Sequence, residues 1–216
     1  MKDFRLVLID PQPALCAAWQ KYFANLHNVE IVNGYFEQLP VFDCIVSAAN
    51  SFGLMDGGVD LAISNFFGRS LVHRVQKYIL ENFRGEQPIG TSFLIETGHE
   101  KHPFLAHTPT MRTPMAISLT DNVYYAMWAM LLAVDKHNRN SDSPIGLVAC
   151  PGLGTATGAV SFEEAARQMS VAYENFLNPP REIDWLYATQ RQQSIGRGGD
   201  LGLLLSAARN AKKGDN

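Results

Sequence analysis

Short apolar runs alternate with stretches of helical periodicity through most of the chain, and that alternation restricts the fold more than any other feature. Phe4–Ile9, Val29–Val32 and Cys44–Val46 read as buried strands, the first ended by Asp10-Pro-Gln-Pro13. Leu15, Trp19, Tyr22, Phe23 and Leu26 recur at helical spacing. Apolar residues at 59, 62, 63, 66 and 67, and again at 71, 75, 78 and 79, predict two consecutive helices with a break at Gly68. Ser92–Ile95, Phe104–Ala106 and Ile145–Ala149 add three strands, and Val123, Met127, Met130, Leu131 and Val134 place a long helix over about 121–137. Ser161-Phe-Glu-Glu164 is a capping-box sequence, and the helix it starts runs until Pro179-Pro180. Strands alternating with helices predict an α/β sandwich around a mostly buried sheet. Residues 1–188 read as one domain. Residues 189–216, with a Leu-rich patch at Leu201–Leu205 and a basic, polar end, read as a poorly ordered tail carrying at most a short helix.

Charge removes whole classes of function. The 216 residues carry 18 Lys plus Arg against 21 Asp plus Glu, a net charge of −3, so nonspecific nucleic-acid binding through clustered basic residues is not expected. No apolar run approaches the ~20 residues of a membrane span, and the run Leu6–Ile9 is too short for a signal peptide. Cys16, Cys44 and Cys150 are far apart and odd in number, which leaves no disulfide framework and no Cys-x-x-Cys metal site, and points to a reducing cytoplasm.

Two loops carry the chemistry. Ser47-Ala-Ala-Asn-Ser-Phe-Gly-Leu-Met-Asp-Gly-Gly-Val-Asp60 leaves a buried strand and enters a helix through Gly57 and Gly58, where backbone amides can meet an anion favoured by the helix dipole. Cys150-Pro-Gly-Leu-Gly-Thr-Ala-Thr-Gly158 leaves another strand and leads to the Ser161 cap. Neither matches the G-x-G-x-x-G fingerprint or a G-x-x-x-x-G-K-[ST] phosphate loop, and either alone equally fits a tight turn. Together, after neighbouring buried strands, they can face one cleft. Asp56 and Asp60 are candidate catalytic carboxylates, although an acid at a helix start also simply complements the dipole. His99 and His102 form H-x-x-H without a third ligand, so no metal is expected, and His107 reads as a hydrogen-bonded structural residue. Thr108-Pro-Thr-Met-Arg-Thr-Pro114 reads as a rigid surface turn, with Arg112 the residue that would reach a phosphate or a partner.

Asp43-Cys-Ile-Val-Ser-Ala-Ala-Asn-Ser51 followed by Gly57-Gly-Val-Asp60 and Ala62-Ile63 resembles the macro-domain signature, a buried strand with N-A-A-N and then G-G-V-D. Gly90–Gly98, His107-Thr-Pro109 and Pro151-Gly-Leu-Gly-Thr155 are similar to the family's middle strands and second ligand loop, so the resemblance runs from about Phe4 to Leu177. It implies a three-layer α/β/α sandwich with a mixed central sheet, and a ligand that is ADP-ribose, a derivative of it, or an ADP-ribosylated substrate. It implies no cofactor. By the same resemblance Asn50 would hold the distal ribose, and Asp60 would orient or activate a water. Ser47, Ala48, Asp56, Gly57, Gly58 and Val59 would line the ribose and phosphate region. Gly152, Leu153, Gly154, Thr155, Ala156, Thr157 and Gly158 would close over the diphosphate.

The chain departs from that pattern at several points. Ser47 stands for the first asparagine, Ala156 for a glycine, and Gly34-Tyr35-Phe36 for the G-D-I that recognises adenine. Tyr35 or Phe36 stacking on the base, or Asp10 substituting for the aspartate, are the alternatives. Asp56 replaces a glycine and should disfavour an added phosphate on the distal ribose. Three functions follow: hydrolysis of an ADP-ribosyl or O-acetyl-ADP-ribose bond, ADP-ribose binding without turnover, or binding of another nucleotide-like metabolite.

Overall fold

A computed structural model describes residues 4–196. The elements are β1 (Arg5–Asp10), α1 (Pro13–Tyr22), β2 (Val29–Asn33), β3 (Cys44–Ser47), α2 (Gly58–Phe67), α3 (Arg69–Phe83), β4 (Phe93–Glu96), β5 (Phe104–His107), α4 (Asn122–Asn140), β6 (Leu147–Cys150), α5 (Phe162–Leu177) and α6 (Trp185–Ile195). They form a six-stranded sheet of order β2-β1-β6-β3-β5-β4, parallel except for β4, which runs antiparallel to β5. This is the expected mixed α/β/α sandwich.

Both faces of the sheet are covered, which is why the inner strands read as apolar runs rather than alternating ones. Leu6, Leu8, Cys44, Val46, Val148 and Cys150 pack with α1, α4 and α5 around the fully buried Trp19. Val7, Ile9, Ile45, Leu105 and Ala149 point to the other face and pack with Ile63 of α2 and Leu71, Val75 and Ile79 of α3. The predicted break between α2 and α3 falls at Gly68, and Ser161 Oγ caps α5 by accepting from the Glu164 amide.

Two boundaries differ from expectation. Ile145 lies outside β6 because both its backbone groups bond to the side chain of Asn138, its N–H donating to Oδ1 at 2.7 Å and its C=O accepting from Nδ2 at 2.8 Å. The side chain thereby ties the end of α4 to the start of the strand. α6 carries ordered helix across the expected end of the domain at residue 188. Asp184 caps it, the Arg191 guanidinium lies 4.3 Å from the Trp128 ring centroid, and Arg167 donates to the carbonyls of Ser194 and Ile195. The Leu201–Leu205 patch lies outside the described residues. Among the described residues no helix is long and apolar enough to cross a membrane.

Because β1, β2, β3, β5 and β6 are mutually parallel, their carboxyl ends share one edge of the sheet. The loops leaving that edge meet there.

Candidate functional site

The loops enclose a cleft of about 460 Å³. β3 and β6 are hydrogen-bonded neighbours, so the loops that follow them stand side by side, as the sequence suggests. One wall is Ala48, Asn50 and the stretch from Asp56 to Asp60; the opposite wall is Gly152 and Gly154–Gly158. Gly57 is the N-cap of α2, has no side chain over the helix start, and leaves the first amides of the helix uncapped toward the cleft. A Cβ added at Gly57 would meet nothing within 4 Å, so there the missing side chain leaves room for a ligand, whereas Gly58, at φ +53°, is required by its left-handed backbone. In the opposite wall the glycines are demanded by the protein itself: a Cβ at Gly158 would stand 2.4 Å from the Gly154 carbonyl oxygen.

Asp60 is the chemically distinctive group. It lines the cleft yet is only 6% exposed, and Ser47 Oγ donates to its Oδ1 at 2.7 Å. Burial pushes its carboxyl up from the ordinary 3.8 to about 6, against the Ser47 hydrogen bond, and the nearby Asp56 charge adds to the rise. The group therefore changes protonation close to neutral pH, where a general base is effective.

Two expected ligand contacts are placed elsewhere. Ser47 follows Ile45 on the α2/α3 face of β3, so its hydroxyl points at Asp60 from behind and it is fully buried, outside the cleft lining. Leu153 is fully buried and packs in the core under its loop. Asn50 does line the cleft, but its side chain also organises its own loop. Oδ1 accepts from the amides of Phe52 and Leu54, and Nδ2 donates to the Leu54 carbonyl at 3.1 Å.

Ser47→Ala is expected to move the Asp60 titration upward by about one to two pH units. A hydrogen bond to a charged group contributes about 1.5–3 kcal/mol, and its loss falls on the ionised form. Carboxyl-carbon NMR titration checks this, and an unchanged midpoint would remove Ser47 as the partner that sets Asp60.

Other lining residues were not legible in the two loops. Asp10, at the end of β1, reaches the cleft and accepts from the amides of Gln12 and Gly152, with burial raising its carboxyl above the ordinary range. Tyr35 is exposed at the rim, whereas Phe36 is buried on the cleft floor, edge-on to Phe42 and Phe66, so of the two only Tyr35 has a free ring face. Residues 108–112 are not a surface turn. They run beside 49–51 through bonds from the Ala49 amide to the Thr108 carbonyl and from the Thr110 amide to the Ala49 carbonyl, which brings Thr110 and Met111 into the lining. The usable signal was that this segment also leaves the carboxyl end of a buried parallel strand. Arg112 points away to a bidentate pair with Glu86.

The histidines lie elsewhere. His99 and His102 stack on each other at 4.7 Å, with His102 stacked on Phe42. His107 is fully buried, its Nδ1 2.6 Å from Gln87 Oε1, and burial pushes its imidazole down to about 3. The Gln87 amide nitrogen donates to the Thr91 and His107 carbonyls, so its oxygen must accept and the His107 proton resides on Nδ1. Cys44 and Cys150 are buried thiols held protonated by desolvation.

Known proteins are similar to this chain in sequence or in fold. An uncharacterized protein of Aquifex aeolicus is 33% identical over 142 residues, covering 66% of this chain and 78% of that protein. Another from Aeropyrum pernix is 28% identical over 131 residues, covering 60% and 62%. Among solved structures, the macrodomain of Mycobacterium tuberculosis DarG aligns at TM-score 0.55 and 21% identity over 66% of this chain and 87% of its own. A mutant Oceanobacillus iheyensis macrodomain with ADPR aligns at 0.56 and 22% over 68% and 76%. The same macrodomain with ADP aligns at 0.51 and 23% over 63% and 71%. The model of the Macro domain matches residues 46–169, a span that holds both loops, the buried Asp60, the end of β3 and all of β6. On that match, the chain belongs to the Macro domain family.

Proposed function

We propose that the cleft binds ADP-ribose or an ADP-ribosyl derivative and hydrolyses an ADP-ribosyl or O-acetyl-ADP-ribose bond with a water oriented by Asp60. The ligand class is carried from the ADPR and ADP complexes of the Oceanobacillus iheyensis macrodomain. The observation that carries the catalytic half is the buried, Ser47-bonded Asp60 carboxyl, titrating at about 6 beside the uncapped start of α2. Backbone amides of α2 and of the Gly152–Gly158 loop receive the diphosphate without any lysine or arginine. The ionised Asp60 then accepts a hydrogen bond from the attacking water and takes its proton as the bond to the leaving group breaks. Tyr35 offers a ring face for the base, and Asp10 a carboxylate for its amino group.

A reading as a binding module is favoured by Asn50, whose amide is engaged at both ends within its own loop. A thermal-shift panel of ADP-ribose, acetylated ADP-ribose, NAD and cyclic nucleotides, followed by product analysis, separates the readings. ADP-ribose at 100 times its dissociation constant is expected to stabilise the protein by about 2.7 kcal/mol. Binding without product from any ADP-ribosyl substrate selects the module. No shift with ADP-ribose at millimolar concentration, with a shift from another nucleotide, selects a different metabolite.

A further inference from the structure

The charges around the cleft are of one sign. Asp10, Glu37, Asp56 and Asp60 line it and, among the described residues, no Lys, Arg or His does. Their positions are as informative as their sign. Asp10 and Glu37 stand with the loops after β1 and β2, Asp56 and Asp60 with the loop after β3 and the start of α2, and in the strand order β2-β1-β6-β3 the Gly152–Gly158 loop after β6 lies between them. The cleft is thus acidic at both ends and donor-rich in the middle, a pattern suited to a ligand whose negative charge is central and whose ends are neutral or positive.

Resting on the ADP-ribose reading, we propose that Asp56 selects the group carried on the distal ribose, admitting an uncharged or cationic substituent and excluding a phosphate. Asp56 is exposed at the mouth, and its charge is felt at Asp60, so the two carboxylates act on the same end of the cleft. Asp60 is buried and hydrogen-bonded to Ser47, whereas Asp56 is exposed, so Asp56 is the carboxylate that a group entering at the mouth meets first. A terminal phosphate placed beside it would bring like charges together in a cleft where water screens them less than in bulk. Leu54, 48% exposed and with its carbonyl accepting from the Asp56 amide, forms an apolar rim at the same mouth. That rim gives a flat substituent, such as a nucleobase or a guanidinium, a surface to lie on, and a guanidinium could also pair with Asp56. Repulsion of the wrong group, rather than added attraction for the right one, is the device.

The test is calorimetric titration of the full chain with ADP-ribose and with ADP-ribose 1″-phosphate at low salt, the ligands verified intact afterwards. The phosphorylated ligand is expected to bind at least tenfold more weakly to the wild type. Asp56→Asn should narrow that ratio at least threefold, and 0.5 M salt should narrow it in the wild type. Asp56→Arg should bring the phosphorylated ligand to equal or tighter binding than ADP-ribose. Equal affinities in the wild type overturn the proposal, as does a ratio that neither charge change nor salt alters, since the exclusion would then be steric. If ADP-ribose itself fails to bind, the ADP-ribose reading falls and this proposal with it; if ADP-ribose binds and the ratio does not respond, this proposal alone falls.

Discussion

Asp60→Asn is expected to lower hydrolysis of an ADP-ribosyl substrate by at least about 100-fold, the usual scale for losing a general base, while changing ADP-ribose affinity no more than about threefold. The same substitution should make the protein more stable at neutral pH. The folded state holds the Asp60 proton more tightly than the unfolded chain, because burial raises the group from 3.8 to about 6. Stability therefore falls as pH rises between those values. The cost of ionising Asp60 is absent below about pH 4 and complete above about pH 6, where the two-unit difference corresponds to roughly 3 kcal/mol. Asparagine keeps the acceptor for Ser47 and removes the charge. Its melting temperature should exceed that of the wild type at pH 7.5 and approach it near pH 4. In the wild type, turnover should fall as the pH drops through about 6, because the ionised form does the work. Equal turnover by wild type and variant removes Asp60 from the reaction. A wild type no less stable than the variant at pH 7.5 removes the buried charge as a cost.

This coupling of chemistry and stability rests on contacts that a linear reading reaches only in part. The strand and helix periodicities marked the β-α alternation, the Gly68 break and the Ser161 cap, because those depend on residues close in sequence. The two glycine loops were legible for the same reason. The side on which a residue of β3 points was not: Ser47 belongs to a conspicuous loop motif, yet it shares a face with Ile45 and so backs Asp60 instead of lining the cleft. Tyr35 and Asp10 were reached only as alternatives through the resemblance, and Thr110 not at all, because they enter the site through five parallel strands that end at one edge, a property of strand order that no local pattern encodes. The Arg112–Glu86 pair joins residues 26 apart, which no local pattern shows.

The glycines of the two walls should likewise respond in opposite ways, although the sequence shows them alike. Gly158→Ala is expected to destabilise the protein by about 2–3 kcal/mol, within the range for overpacking a tight site. For a chain of this size that is a drop of roughly 5–10 °C in melting temperature. The added Cβ would stand 2.4 Å from the Gly154 carbonyl oxygen and 2.9 Å from Ile117 Cγ1. Neither obstacle is the free end of a flexible chain. The Gly154 carbonyl is held by the Val160 amide, and the Ile117 amide is bonded to the Gly158 carbonyl. Relief requires the 152–158 loop to shift, which moves one wall of the cleft, so ADP-ribose affinity should fall at least about tenfold. Gly57→Ala reverses the balance. Its backbone, at φ −144° and ψ 155°, suits any residue, and the new Cβ meets open space. Its melting temperature should stay within about 2 °C of the wild type, as for substitutions away from packed features. Affinity should still fall at least about fivefold, because the methyl group would occupy space at the uncapped end of α2 where the phosphate approaches. If Gly57→Ala binds ADP-ribose as the wild type does, the diphosphate lies away from the α2 amides. If Gly158→Ala melts with the wild type, the 152–158 loop has slack that its packing does not reveal.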